Sequence, residues 1–87
     1  MAVLLNMDSR QRCFLHAHHS FGRLPDAVDT VIDAPAISKH HAIIEWQDNE
    51  WTIRDLSLNG CWVNRTKLTT NYQHPLKVGD KLYFANP

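Results

Sequence analysis

The stretch Ala42-Ile43-Ile44-Glu45-Trp46-Gln47-Asp48-Asn49-Glu50-Trp51-Thr52-Ile53-Arg54 decides the fold class of this chain. Ala42, Ile44 and Trp46 alternate with Ile43, Glu45 and Gln47, a period of two residues. Asp48-Asn49-Glu50 reads as a turn, and beyond it Trp51 and Ile53 alternate with Thr52 and Arg54. The stretch predicts a β-hairpin with one buried face.

On both sides of the hairpin the pattern stays β. Cys61-Trp62-Val63 predicts a short strand, as does Lys81-Leu82-Tyr83-Phe84 after the turn Val78-Gly79-Asp80. Upstream, Val3-Leu4-Leu5, Arg12-Cys13-Phe14-Leu15-His16 and Thr30-Val31-Ile32 predict three more. Loops are expected over 26–29 and 69–74. No segment holds a helical period. Many short strands between turn signals predict an all-β sandwich or barrel.

Composition bounds the function. The 87 residues suffice for one domain, expected over 1–87. Nine basic residues balance nine acidic ones, so the clustered cationic surface of a non-specific nucleic-acid binder is not expected. No run approaches the roughly 20 apolar residues of a membrane span. The start, Met1-Ala2-Val3-Leu4-Leu5-Asn6, is too short for a signal-peptide core, which makes the expected location cytoplasmic. Cys13 and Cys61 form neither a metal pair nor a disulfide framework and are expected as buried free thiols in strands. His16 and His18 would share a face of a regular strand, a workable ligand spacing, but nothing completes a tetrahedral set, so neither metal nor cofactor is expected. Ser38, His41 and Asp55 or Asp80 could be written as a triad. No strained Gly-x-Ser-x-Gly elbow accompanies them, and a small all-β chain offers little cleft, so no enzyme is expected. Trp46, Trp51 and Trp62 are expected in core or edge packing, not as a base-stacking platform.

Two polar turns carry the chemistry. In Asp55-Leu56-Ser57-Leu58-Asn59-Gly60, Gly60 can take a positive φ and Asn59 tolerates one, so donors would project from a sharp loop tip. In Ser38-Lys39-His40-His41, a hydroxyl and an ammonium follow Pro35, which breaks regular structure. Arg23, after Gly22, would add the planar fork that binds phosphate bidentately. Such a rim suits holding a phosphate.

These motifs together resemble the forkhead-associated (FHA) domain family. Gly22-Arg23 resembles its Gly-Arg, and Ser38-Lys39-His40-His41 its Ser-Arg-x-His. Asp55 to Asn64 resembles its Asp-x-Ser-x-Asn-Gly-Thr-φ-Val-Asn, φ being apolar. Leu76-Lys77-Val78-Gly79-Asp80-Lys81-Leu82 resembles its Leu-x-x-Gly-Asp-x-Ile. The resemblance runs in order from Phe21 to Phe84. It implies a β-sandwich of two mostly antiparallel sheets with recognition loops at one end, binding phosphothreonine segments of a partner protein.

The resemblance also implies roles. Arg23 and Ser38 would contact the phosphate, Lys39 would add charge where the family usually has Arg, and Asn59 would hold the peptide main chain. Gly22, His41, Ser57, Gly60 and Asn64 would shape the loops. Three departures stand out. Leu58 replaces a Thr whose hydroxyl would touch the phosphate, at a cost of roughly 1.5–3 kcal/mol. Arg65 replaces a Gly and is either a rim cation or a solvated charge. The chain ends soon after Phe84, where the family has one more strand, so a cut or shortened domain is expected. Such an edge would permit self-association. FHA modules usually sit in larger proteins, and the same is expected here. The alternative function is a phosphate-independent scaffold that keeps the fold.

Overall fold

The computed structural model describes residues 2–85. These residues contain ten short strands, joined by turns and loops, and no helix. They are β1 (Val3–Leu5), β2 (Arg12–Phe14), β3 (His18–Gly22), β4 (Thr30–Val31), β5 (Ala42–Gln47), β6 (Glu50–Asp55), β7 (Cys61–Val63), β8 (Thr66–Lys67), β9 (His74–Leu76) and β10 (Leu82–Phe84). Among the described residues no helix is long and apolar enough to cross a membrane. The expected chain end after Phe84 involves residues 86–87, outside the described part.

The central hairpin forms as its alternation predicts. Ile44 faces Ile53 and Trp46 faces Trp51 across β5 and β6. Asp48 and Asn49 both take positive φ, 54° and 63°, the geometry of a two-residue type I′ turn whose twist matches the strands. Around this hairpin a five-stranded sheet runs in the order β4-β3-β5-β6-β9. β3 and β4 pair in parallel, and the other named strand pairs are antiparallel.

Facing this sheet is a layer in two hydrogen-bonded pieces, a sheet ordered β10-β7-β8 and the β1–β2 ribbon. Phe21, Ala42, Ile44 and Ile53 from the first layer meet Cys61 and Val63 of β7, with Leu68 beside them. Leu4 and Cys13 of the ribbon pack against the same cluster. Each fully buried Ile or Phe here contributes about 1.5–3 kcal/mol. The expected sandwich is thus present.

Several elements differ from the sequence reading. The strand expected over Arg12–His16 stops at Phe14, and the chain crosses from the β1–β2 ribbon to the five-stranded sheet, which it enters at His18. His16 therefore lies outside any strand and shares no strand face with His18. His19 is the buried member of the group, 3% exposed. Its Nδ1 accepts the His16 amide (3.1 Å) and its Nε2 donates to Thr30 Oγ1 (2.7 Å). With both ring nitrogens bonded, a histidine sits in the interior at little cost. The loop expected over 69–74 carries a bridge from Thr70 to Asp55, and its last residue opens β9. Pro75 masked that strand; lacking an N–H, it fits only at an edge, where β9 lies. Cys61 is buried as expected, while Cys13 is only partly so.

Candidate functional site

The recognition end is built where β3 stops, β5 starts and β6 turns into β7. Gly22 at the end of β3 is the first requirement. A Cβ there would run into the Lys39 carbonyl oxygen, so only glycine lets the segment before β5 lie against β3. The approach is fixed by the Arg23 amide donating to Ser38 O (3.0 Å) and the Leu24 amide to Lys39 O (3.4 Å). It sets Arg23, Ser38 and Lys39 side by side.

Arg23, Ser38 and Asn59 are each anchored by one atom and open at another. Arg23 donates through Nε to Ile37 O (2.9 Å), which orients the guanidinium and leaves its terminal nitrogens outward. Ser38 Oγ accepts the Leu58 amide (3.0 Å), so its own hydroxyl hydrogen is available. Asn59 donates through Nδ2 to Ala36 O (2.8 Å), leaving its carbonyl oxygen free to accept. Lys39 and Arg23 are exposed, and among the described residues neither has an acidic partner at ion-pair distance.

Beneath the rim lies a buried hydrogen-bonded floor. His41 is 0% exposed. Its Nδ1 accepts the Ser38 amide (3.0 Å), so Nε2 carries the proton and donates to Gly60 O (2.9 Å). One ring thus ties the segment before β5 to the β6–β7 loop. Asp55 forms the second part of the floor. Its Oδ1 accepts the Ser57 amide (2.8 Å), the Ser57 hydroxyl (2.5 Å) and the Cys61 thiol (3.3 Å). Ser57 Oγ in turn accepts the Gly60 amide (2.7 Å). Gly60 takes φ +96°, which lets the loop turn into β7. Burial first, then the Asp55 carboxylate, pushes the Cys61 thiol far above its ordinary value, so it stays a protonated donor. The ligand-type atoms of His41, Asp55 and Cys61 lie within 4.8 Å of one another. Both His41 nitrogens are already committed to backbone partners, and the set acts as loop scaffold.

Arg23, Ser38, Lys39, Leu58 and Asn59 meet at this end, with Gly22, His41, Ser57 and Gly60 as their support. Asn64 and Arg65 do not join them. They occupy the β7–β8 turn, at the other end of β7, where Asn64 takes φ 56°. There Asn64 Nδ2 donates to Asp80 Oδ1 (3.1 Å) and Asn64 Oδ1 accepts the Lys81 amide (3.0 Å). Asn64 therefore shapes a different turn. Ser38, His41 and Asp55 are not arranged as nucleophile, base and orienter, since His41 binds Ser38 only through the backbone amide and Asp55 binds Ser57. Sequence reasoning passed over Asp55 as a site support. Its signal was the Asp-x-Ser spacing of a side-chain-closed turn.

The chain and its fold have known counterparts. The FHA domain family model matches residues 19–85. The fold is similar to EmbR of Mycobacterium tuberculosis, solved with a low-affinity phosphopeptide: 29% identity, TM-score 0.85, over 95% of this chain and 23% of that one. It is also similar to the N-terminal FHA domain of S. cerevisiae Rad53p with a phosphothreonine peptide: 25% identity, TM-score 0.81, over 92% and 77% of the two chains. The MEK1 FHA domain, solved with a HOP1 phosphothreonine peptide, has the same fold: 23% identity, TM-score 0.78, over 87% and 82%. The chain thus spans less than a quarter of the EmbR chain. A search of curated proteins finds no match.

Proposed function

This chain belongs to the FHA domain family, and from that premise we propose that it is a binding module for phosphothreonine-containing protein segments, acting in signalling or regulation. One observation carries the reading. Ser38 and Arg23 are each pinned by one bond and open at another, on adjoining segments, with Lys39 next to them and, among the described residues, no acidic group at ion-pair distance from either cation. A phosphothreonine brings about −1.5 to −2 charges and three acceptor oxygens, which this rim matches with a hydroxyl, a guanidinium and an ammonium. Asn59 would accept from the ligand main chain beside it.

The module itself is a binder and not a catalyst. It would work in the cytoplasm as one part of a larger protein; two free cysteines suit a reducing compartment. The balance of nine basic and nine acidic residues speaks for a protein partner over nucleic acid. Arg65, on the β7–β8 turn, would contribute only long-range charge.

The test is a calorimetric titration with one peptide in threonine and phosphothreonine forms, taken from a degenerate phosphothreonine library. The phosphorylated form should bind at least about tenfold tighter, and Arg23→Ala should remove most of that difference. Equal affinities would establish the phosphate-independent scaffold instead, the reading that Leu58 favours by offering no hydroxyl.

A further inference from the structure

The recognition end has two chemical sides. Its cations, Arg23 and Lys39, stand on the β3–β4 and β4–β5 segments. The β6–β7 loop opposite them offers no charge at its tip. It offers Leu58, 91% exposed, with Leu56 at 36%. The segment before β9 brings a third apolar group: the Asn71 amide donates to Asp55 O (2.8 Å), which sets Tyr72, 59% exposed, beside the start of that loop.

A single exposed leucine is ordinary on a protein surface. This one sits on a backbone pinned at successive residues. The Leu58 amide is held by Ser38 Oγ, the Asn59 side chain by Ala36 O and the Gly60 amide by Ser57 Oγ. The leucine is therefore presented rigidly, one residue from the peptide clamp and one hydrogen bond from the phosphate donor. A ligand engaging both Ser38 and Asn59 would come beside it.

We infer that the site reads, beside the phosphothreonine, a large apolar residue of the ligand, received by Leu58 with Leu56 and Tyr72. The inference rests on the phosphopeptide reading and adds its sequence preference. Continuity with the phosphate rim fixes the occupant as part of the same ligand. The leucine that forfeits a hydroxyl contact thereby recovers affinity through covered apolar surface, and affinity comes to depend on the residues next to the phosphate.

The experiment uses phosphothreonine peptides carrying Leu, Ala or Asp singly at each of three positions on either side, each also made without phosphate. Fluorescence anisotropy is read against the native chain, Leu58→Ala and Leu58→Thr, with thermal melts confirming that the variants fold. At one position at least, Leu should bind about tenfold tighter than Asp, and Leu58→Ala should cut that preference to about threefold or less. Phosphate-dependent binding indifferent to the flanks would overturn the inference alone. So would a preference for Asp, or one that Leu58→Ala leaves intact. Equal binding of the unphosphorylated peptides would remove the phosphopeptide reading and this inference with it.

Discussion

The Leu58 amide donates to Ser38 Oγ across 20 residues of sequence, at 3.0 Å, so the hydroxyl proposed to meet the phosphate is itself held by the opposite loop. Ser38 is the staple between two loops and, in the proposed function, also a ligand donor. Ser38→Ala removes both functions. Phosphopeptide affinity should fall about tenfold or more, the worth of a charge-assisted hydrogen bond, while stability falls by only about 1 kcal/mol. Calorimetry and urea unfolding on the same preparation separate the two effects.

His41→Ala should act in the opposite proportion. The ring is fully buried and supplies partners to the Ser38 amide and to Gly60 O. Its loss leaves a cavity and two unpaired backbone groups, costing about 2–4 kcal/mol. A shift in the urea midpoint at unchanged slope would show it. An unchanged midpoint would mean that the loops are held by other bonds.

Gly22→Ala adds one methyl group where the Lys39 carbonyl already stands. The segment bearing Ser38 must move away from β3, so binding should be lost more completely than folding. Stability should drop by about 1–3 kcal/mol. Amide exchange at Arg23 and Leu24, whose amides bond that segment, reports the displacement directly.

Stability should fall on mild acidification. Burial above all holds the His19 imidazole below its ordinary value of 6.5, opposed by Asp29 and reinforced by His16. The unfolded chain then binds a proton that the folded chain refuses. The His19 contribution is complete above about pH 6.5, shrinks as pH falls below it, and levels off under the folded-state value. Asp29, held low mainly by the Ser20 amide, and Glu45, held low mainly by Arg54, add a loss only as pH falls through and below the carboxylate range. Urea midpoints between pH 7 and 5 should fall less steeply for His19→Gln than for the native chain.

The two thiols should differ in reactivity. Cys61 is 0% exposed and its thiol is held protonated, whereas Cys13 is half-buried. Ellman's reagent should titrate Cys13 slowly in the folded chain and reach Cys61 only in denaturant. Prompt reaction of both under native conditions would contradict the buried floor.

The hairpin and the site loops were legible because alternation and turn chemistry are local. Ile44 and Ile53 announce their face by spacing, and Gly60 announces a turn by its identity. His18–Gly22 was not legible as a strand, since His-His-Ser-Phe-Gly reads polar until the third-neighbour amide that satisfies His19 is known. β8 is two residues long and β9 contains proline, so neither carries a periodic signal. Asn64 and Arg65 follow the loop motif without a break, so sequence adjacency offered Asn64 as a support of the recognition loops and Arg65 as either a rim cation or a solvated charge. A three-residue strand, β7, carries them to the other end instead. The Asp55 floor escaped notice because its partners lie within the motif and give no contrast in composition.

Gly60 O accepts a second donor besides His41, the Ala85 amide at 2.9 Å. The residue just after β10 is thereby tied to the turn that positions Asn59. Tension on a polypeptide tethered beyond Ala85 would reach the binding turn through that one bond, before any strand of the sandwich had to slip.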